Sequence, residues 1–320
     1  MELSIIITVY NKAEYVARCI ESCINQDDCE LGKEYELVVV NDGSSDDSLN
    51  IIMGFSSSYR NYFTVVNQTN QGLSMARNNG RKYAKGKYIW FVDADDIISK
   101  MSVSLIVRAS QSQPDIIPIR GAYIDSSDKP RNVIDKDLTT GKDILKKQCW
   151  EVCSPFYVYR SNFLLKNDLS FYPGIFHEDD EFTPRVLYYA NTATVIDKVL
   201  YYIYRVEGSI TQIPNVKRAY DYLTVARRLN EFVLNNQENT TLIGVRIMNL
   251  ASICINNAFS IIVKNSQTEQ HMFNKQFNSE SDLMKLLWKS NNRKYRLESI
   301  LFRLFPGNCV GVYKFLKRIR

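Results

Sequence analysis

Histidine is nearly missing from this 320-residue chain, with His177 and His271 the two present, too few for a His-rich zinc site. The seven cysteines form no Cys-x-x-Cys pair. Their odd number fits reduced thiols in a cytosolic protein, not a disulfide framework. Cys19 and Cys23 lie one helical turn apart, as do Cys149 and Cys153; both pairs read as small core residues and not as metal ligands. No apolar run approaches the roughly 20 residues that a bilayer span needs. Met1-Glu2-Leu3-Ser4 passes straight into a strand-like run, without the pattern of a signal peptide. Neither G-x-G-x-x-G nor a P-loop occurs, so a dinucleotide-binding fold and a P-loop NTPase are both unsupported. There is no internal repeat and no low-complexity tract.

What is present is ordinary in bulk and uneven in detail. Hydrophobic residues make up 45% and charged residues 23%, enough for a substantial core in one large domain or two modest ones. The net charge of +5 is concentrated at the C-terminus: Lys285–Arg320 carries +9, and the remainder −4. A mildly acidic body with a basic tail points to an anionic surface met by that tail.

The chain is organised around Tyr88-Ile89-Trp90-Phe91-Val92-Asp93-Ala94-Asp95-Asp96. Its β-branched and aromatic run reads as a strand buried on both faces of a parallel sheet. Three carboxylates within four residues then raise one another's pKa unless a positive charge sits among them. A divalent cation, for which Asp oxygens are hard ligands, is one remedy; a solvated acidic turn is the plainer alternative.

Around this stretch, Leu3–Val9, Glu36–Val40 and Tyr62–Asn67 read as strands. Asn11-Lys12-Ala13-Glu14 has the form of a capping box that starts a helix with an apolar stripe of Val16, Cys19, Ile20, Cys23 and Ile24. A second helix starts at Asp46 or Asp47, and a third over Gly72–Ala84 presents Leu73, Ala76 and Tyr83 to the sheet. Further on, a helix over Ser99–Ala109, a short strand at Asp115–Ile119 and a strand at Asp197–Arg205 are expected, with residues 124–141 as a surface connection. Strands alternating with helices predict a doubly wound, mostly parallel α/β sheet flanked by helices. In such sheets ligands bind beyond the carboxyl ends of the strands, where Thr8, Tyr10, Asp42, Asp93 and Asp95 fall.

A second acidic cluster, His177-Glu178-Asp179-Asp180-Glu181, precedes Pro184. Proline suits the first turn of a helix, where acids complement the dipole; that accounts for one or two carboxylates, while a general base is a further use for them. From Pro214 onward the pattern becomes helical, over Val216–Leu234, Thr241–Val263 and Ser281–Trp288. The division expected is a sheet domain at 1–213 and a helical region at 214–320. The final segment, Leu301–Arg320, interleaves Phe302, Leu304, Phe305, Val312, Phe315 and Leu316 with basic residues. It reads as a helix on an anionic membrane surface, with a plain solvated helix as the alternative; no recognition module supports nucleic acid.

The ordered motifs Ile6-Ile7-Thr8-Val9-Tyr10-Asn11, Val40-Asn41-Asp42-Gly43-Ser44-Ser45-Asp46, Asn70-Gln71-Gly72-Leu73-Ser74-Met75-Ala76-Arg77-Asn78 and Phe91-Val92-Asp93-Ala94-Asp95-Asp96 resemble the family 2 glycosyltransferases of GT-A fold. The likeness continues through His177–Phe182, Tyr204-Arg205 and Gly208-Ser209-Ile210, over roughly the first 210 residues. The resemblance implies an inverting, metal-dependent transfer of a hexose or N-acetylhexosamine from a UDP-sugar. The acceptor implied is a hydroxyl of a glycan or lipid-linked oligosaccharide, on the cytoplasmic side of a bacterial membrane. By residue, Thr8, Val9 and Tyr10 would border the nucleobase, Asp42 would hydrogen-bond it, and Arg77 would reach the nucleotide. Asp93 and Ala94 would meet the ribose or metal, Asp95 would bind Mn²⁺ or Mg²⁺, and His177 could assist. Asp179 would be the base, with Asp180 and Glu178 as rivals. A sugar-1-phosphate nucleotidyltransferase and a non-catalytic sugar-nucleotide-binding module are the other readings.

Overall fold

A computed structural model describes residues 1–59, 61–126, 129–131, 134–205 and 215–319. The expected motif Gly208-Ser209-Ile210, the expected boundary at 213 and 214, and Arg320 lie outside the described residues. The chain forms two units, Met1–Gly174 with Phe182–Ser209, and Ile175–Glu181 with Ile210–Arg320.

The first unit runs β1 (Leu3–Val9), α1 (Val16–Ile24), β2 (Tyr35–Asp42), α2 (Ser48–Ser58), β3 (Phe63–Gln68), α3 (Leu73–Tyr83), β4 (Tyr88–Asp93), β5 (Ile97–Ile98), α4 (Ser102–Ser110) and β6 (Ile116–Tyr123). It continues through α5 (Gly141–Lys147), β7 (Tyr157–Arg160), α6 (Ser161–Lys166), α7 (Glu178–Tyr189, whose first four residues count with the second unit) and β8 (Ile196–Ile203). The sheet order is β3-β2-β1-β4-β7-β6-β8-β5. Every residue of β1 and β2 is buried, which is why their middles, Ile5–Ile7 and Leu37–Val40, read as continuous apolar runs and not as alternation. β1 pairs in parallel with β2 and β4, opposing Thr8 to both Val40 and Asp93. The carboxyl ends of the three strands therefore share one edge.

Beyond β4 the parallel expectation gives way. β7 enters antiparallel between β4 and β6, and β5 pairs antiparallel with β8, so the sheet is mixed. Residues 124–141 are not wholly surface, since Ile134 and Leu138 are buried. The capping box at Asn11 is absent: α1 starts at Val16, and Asn11, at φ 51°, turns its side chain to accept from the Ser45 backbone N–H at 2.8 Å. Pro184 lies inside α7 and not in its first turn, because the helix already begins at Glu178. Of the three residues expected to face the sheet, Ala76 is buried, but Leu73 and Tyr83 are exposed, and Arg77 and Gly80 turn inward with Ala76.

The second unit contains α8 (Val216–Asn235), α9 (Leu242–Ile262), α10 (Gln267–Ser279), α11 (Ser281–Lys289), α12 (Arg293–Leu304) and α13 (Cys309–Arg318). Contrary to expectation, α9 is long and apolar enough to cross a membrane by length and composition. Arg246 and its asparagines and serines break the run to the eye, and it packs Ile247, Ala251, Ile255 and Phe259 inside the unit. The expected terminal helix is two helices, because Pro306 opens a 3-10 turn at Pro306–Asn308.

Gly80 lets α3 lie against the sheet: a Cβ there would meet Ile6 Cγ2 at 2.6 Å and Val40 Cγ2 at 2.9 Å. Gly80→Val should lower stability by about 1–3 kcal/mol through overpacking, read as a lower urea midpoint at unchanged slope.

Candidate active site

Four residues of β4 and the turn after it carry the acids, and each acid has its own partner in the first unit. Arg77, buried on α3 with its guanidinium over the Phe171 ring, donates to Asp93 Oδ1 at 3.0 Å. Lys12, on the loop after β1, donates to Asp95 Oδ2 at 2.5 Å. Arg18, stacked 3.4 Å over the Tyr204 ring, donates to the Asp95 carbonyl at 2.8 Å. Asp96 is buried; its oxygens accept from the Tyr201 hydroxyl at 2.7 Å and the Tyr204 backbone N–H at 2.9 Å. The same Tyr201 hydroxyl accepts from the Asp93 N–H at 3.1 Å. Burial, with Asp93 and Asp95 nearby, pushes the Asp96 carboxyl up to about 8.

Other residues of this edge divide between exposed and internal. Tyr10 is exposed beyond β1, whereas Thr8, Val9 and Ala94 are buried. Asp42, expected to hydrogen-bond a base, has both oxygens engaged within the chain. Oδ1 accepts from Gln68 Nε2 at 2.7 Å and the Gln71 N–H at 2.8 Å, and Oδ2 from the Gly72 N–H at 2.9 Å. Gly72 sits at φ 83°, a backbone region that glycine enters without strain, and this aims its N–H at the carboxylate. Arg77 likewise serves Asp93 from inside the fold. Lys12, Arg18 and Tyr201 were not singled out in the sequence; a lone lysine in a turn and one tyrosine of an alternating strand carry no motif.

In the second unit the acidic run is not a row of equivalent carboxylates. His177, at φ 65°, opens α7 and its carbonyl accepts from the Asp180 N–H at 3.1 Å. Its ring stacks on Tyr222 at a centroid distance of 3.6 Å, and Nε2 accepts from Arg218 Nε at 3.4 Å. Burial and the Arg218 charge push His177 down to about 3. Burial, then Asp179 and Glu178, push Asp180 up to about 8. Both groups are thus largely neutral at pH 7, and their 3.9 Å separation is not a working ion pair. Glu181 is buried against Arg228 Nε at 3.0 Å, Glu178 is also buried, and Asp179 is partly exposed.

Among the described residues no three His, Cys, Asp or Glu side chains form a metal cage. Asp93 and Asp95 offer a partial set of hard oxygens. That donor set suits Mg²⁺ or Mn²⁺ arriving with phosphate oxygens of its own, since such ions commonly take one or two carboxylates plus substrate phosphates.

The raised pKa of Asp96 makes stability pH-dependent in a stated direction. The folded state keeps a proton that the unfolded chain has already lost, so in metal-free buffer stability falls as pH rises toward 8. Asp180 contributes the same sign, and His177, depressed, contributes nothing above about pH 6.5. Between pH 6.5 and 8, Asp96→Asn should remove on the order of 1 kcal/mol of this loss, checked by urea denaturation across that range.

The glycosyl transferase family 2 model matches residues 4–169. The uncharacterized glycosyltransferase YibD of Escherichia coli (strain K12) is 28% identical over 251 residues, 73% of this chain and 72% of that protein. A poly(ribitol-phosphate) beta-glucosyltransferase of Bacillus spizizenii is 30% identical over 67% of this chain, which spans 34% of that relative's length. The solved structure of Staphylococcus aureus TarS 1-349 with UDP-GlcNAc superposes at a TM-score of 0.74 and 23% identity, covering 99% of this chain and 92% of that one. It shares the fold. Matched by the family model over more than half its length, this chain belongs to glycosyl transferase family 2 and is a glycosyltransferase of GT-A fold.

Proposed function

We propose that the chain transfers a hexose or N-acetylhexosamine from a UDP-sugar to a hydroxyl of a glycan or polyol-phosphate acceptor in cell-surface polysaccharide synthesis. One observation carries this reading: Thr8, Asp42 and Asp93 stand at the same edge of three adjacent parallel strands, with the acidic turn directly beyond. TarS, solved with UDP-GlcNAc, and the poly(ribitol-phosphate) transferases support the donor and the acceptor class.

In this reading Tyr10 stacks on the uracil. Asp42 holds the Gln71–Gly72 backbone as one wall of the base site, and Arg77 fixes Asp93 toward the ribose. Asp93 and Asp95 hold Mn²⁺ or Mg²⁺, which when bound offsets the charge growing on the departing diphosphate. Asp179 takes the proton of the acceptor hydroxyl, whose oxygen attacks the anomeric carbon from the face opposite the diphosphate and inverts it. Asp180, pushed up to about 8, is a poor base near neutral pH, and Glu178 is buried whereas Asp179 is partly exposed; this favours Asp179 over both rivals.

Asp179→Asn should keep UDP binding by calorimetry and lose transfer by about a thousandfold, within the range for a general base. Asp95→Ala should abolish metal-dependent UDP release. Near-wild-type transfer by the Asp179 variant would move the role to Asp180 or Glu178.

We also propose peripheral contact with an anionic membrane on its cytoplasmic face. Phe302 and Leu316 are buried in the second unit, but Leu304, Phe305, Phe315 and Ile319 are exposed beside Arg303, Lys317 and Arg318. Apolar anchors ringed by basic residues suit anionic headgroups. The protein should sediment with phosphatidylglycerol vesicles and not with pure phosphatidylcholine. Phe305→Glu with Phe315→Glu should release it.

A further inference from the structure

Among the described residues three cations border the acidic turn, and they differ in how firmly they are held. Arg77 is buried to 1% exposure, with its guanidinium over the Phe171 ring. Arg18 is clamped between the Tyr204 ring and the Asp95 carbonyl. Lys12 is different. Its backbone is fixed, with its N–H donating to Ser48 Oγ at 2.9 Å and the next N–H, of Ala13, to Asp46 Oδ2 at 2.9 Å. Its ammonium, at the end of a four-carbon stem that is 23% exposed, ends on Asp95 Oδ2. A compact ammonium on a flexible stem is the one of the three that a stronger cation can displace.

We infer that Lys12 is a resident counter-charge for Asp95, which a divalent cation must displace. Lys12 thereby makes metal uptake depend on the nucleotide. Ammonium and metal compete for the same carboxylate oxygen, so the nucleotide-free protein takes up metal weakly. When a diphosphate arrives with the ion, two things favour exchange: the phosphates supply the missing ligands, and the freed ammonium gains an anionic neighbour. Lys12 is thus a positioning residue, setting the order in which the donor site fills. This rests on reading Asp95 as a metal ligand of a sugar-nucleotide enzyme.

The test titrates Mn²⁺ into nucleotide-free protein and reads free Mn²⁺ by electron paramagnetic resonance. Lys12→Met should bind Mn²⁺ at least tenfold more tightly than wild type, and Lys12→Arg should stay within about threefold of it. The double variant Lys12→Met with Asp95→Asn should lose the gain. Lys12→Gln, checked for folding by circular dichroism, serves if the methionine variant does not fold. Unchanged Mn²⁺ affinity in a folded Lys12 variant overturns the inference, as does a gain that survives the Asp95 change. UDP titration of the wild type separates the two readings: no UDP binding with or without Mn²⁺ would sink the sugar-nucleotide function itself, whereas UDP binding with unchanged Mn²⁺ affinity in Lys12→Met sinks only the role of Lys12.

Discussion

Three carboxylates packed within four residues repel one another, and the first unit tolerates them by matching each to a separate partner. Arg77 takes Asp93, Lys12 takes Asp95, and Tyr201 with the Tyr204 backbone takes Asp96. The matches come from four directions: α3, the loop after β1, the strand β8 and the residue following it. Much of the sheet's arrangement can be read as the scaffold for this one turn. Gly80 brings α3, and with it Arg77, close to the sheet. The antiparallel insertion of β7 lets β6 and β8 extend the sheet on the far side of β4, and β8 carries Tyr201. Burial, with Asp93 and Asp95 nearby, pushes the Asp96 carboxyl up to about 8, so near neutral pH the turn carries less net negative charge than its sequence suggests.

How much of this was legible depended on whether a feature is local. The strands β1, β2 and β4 were readable because burial on both faces favours nearly continuous β-branched and aromatic runs, and Asp93 and Asp95 stood out because they fall at the carboxyl end of such a strand, where ligands bind in open α/β sheets. Helix starts were less readable. Asn11 has the right residue type for a cap, yet its side chain is captured by Ser45, thirty-four positions later in the chain. The partners of the acids were invisible for the same reason. Nothing near Lys12 or Tyr201 announces that each will meet a carboxylate from another strand, and Asp42 gives no sign that Gln71 and Gly72 will use both its oxygens.

The second unit shows a related ambiguity. α9 has the length and composition of a membrane span, but its Phe259 ring lies at the centre of an aromatic cluster, 4.9 Å from Phe302 and 5.4 Å from Tyr313. Those two contacts tie α12 and α13 into the same core. The basic tail is therefore not a free appendage: one side is ordered by packing, and the other presents Phe305 and Phe315. Apolar residues at the terminus divide between these tasks by helical position, which composition alone does not separate.

The pairing of β5 with β8, and of Asp96 with Tyr201, joins segments about a hundred residues apart. Contacts that distant close late, because the entropy of the intervening loop must be overcome first. On the ribosome, β1 to β4 emerge and can pair while Tyr201 has yet to be synthesised. The acidic turn then waits, exposed and self-repelling, until the last strand arrives. The acidic edge of the first unit is therefore completed only once β8 is made, and a nascent chain stalled before residue 201 would lack the Tyr201 partner of Asp96.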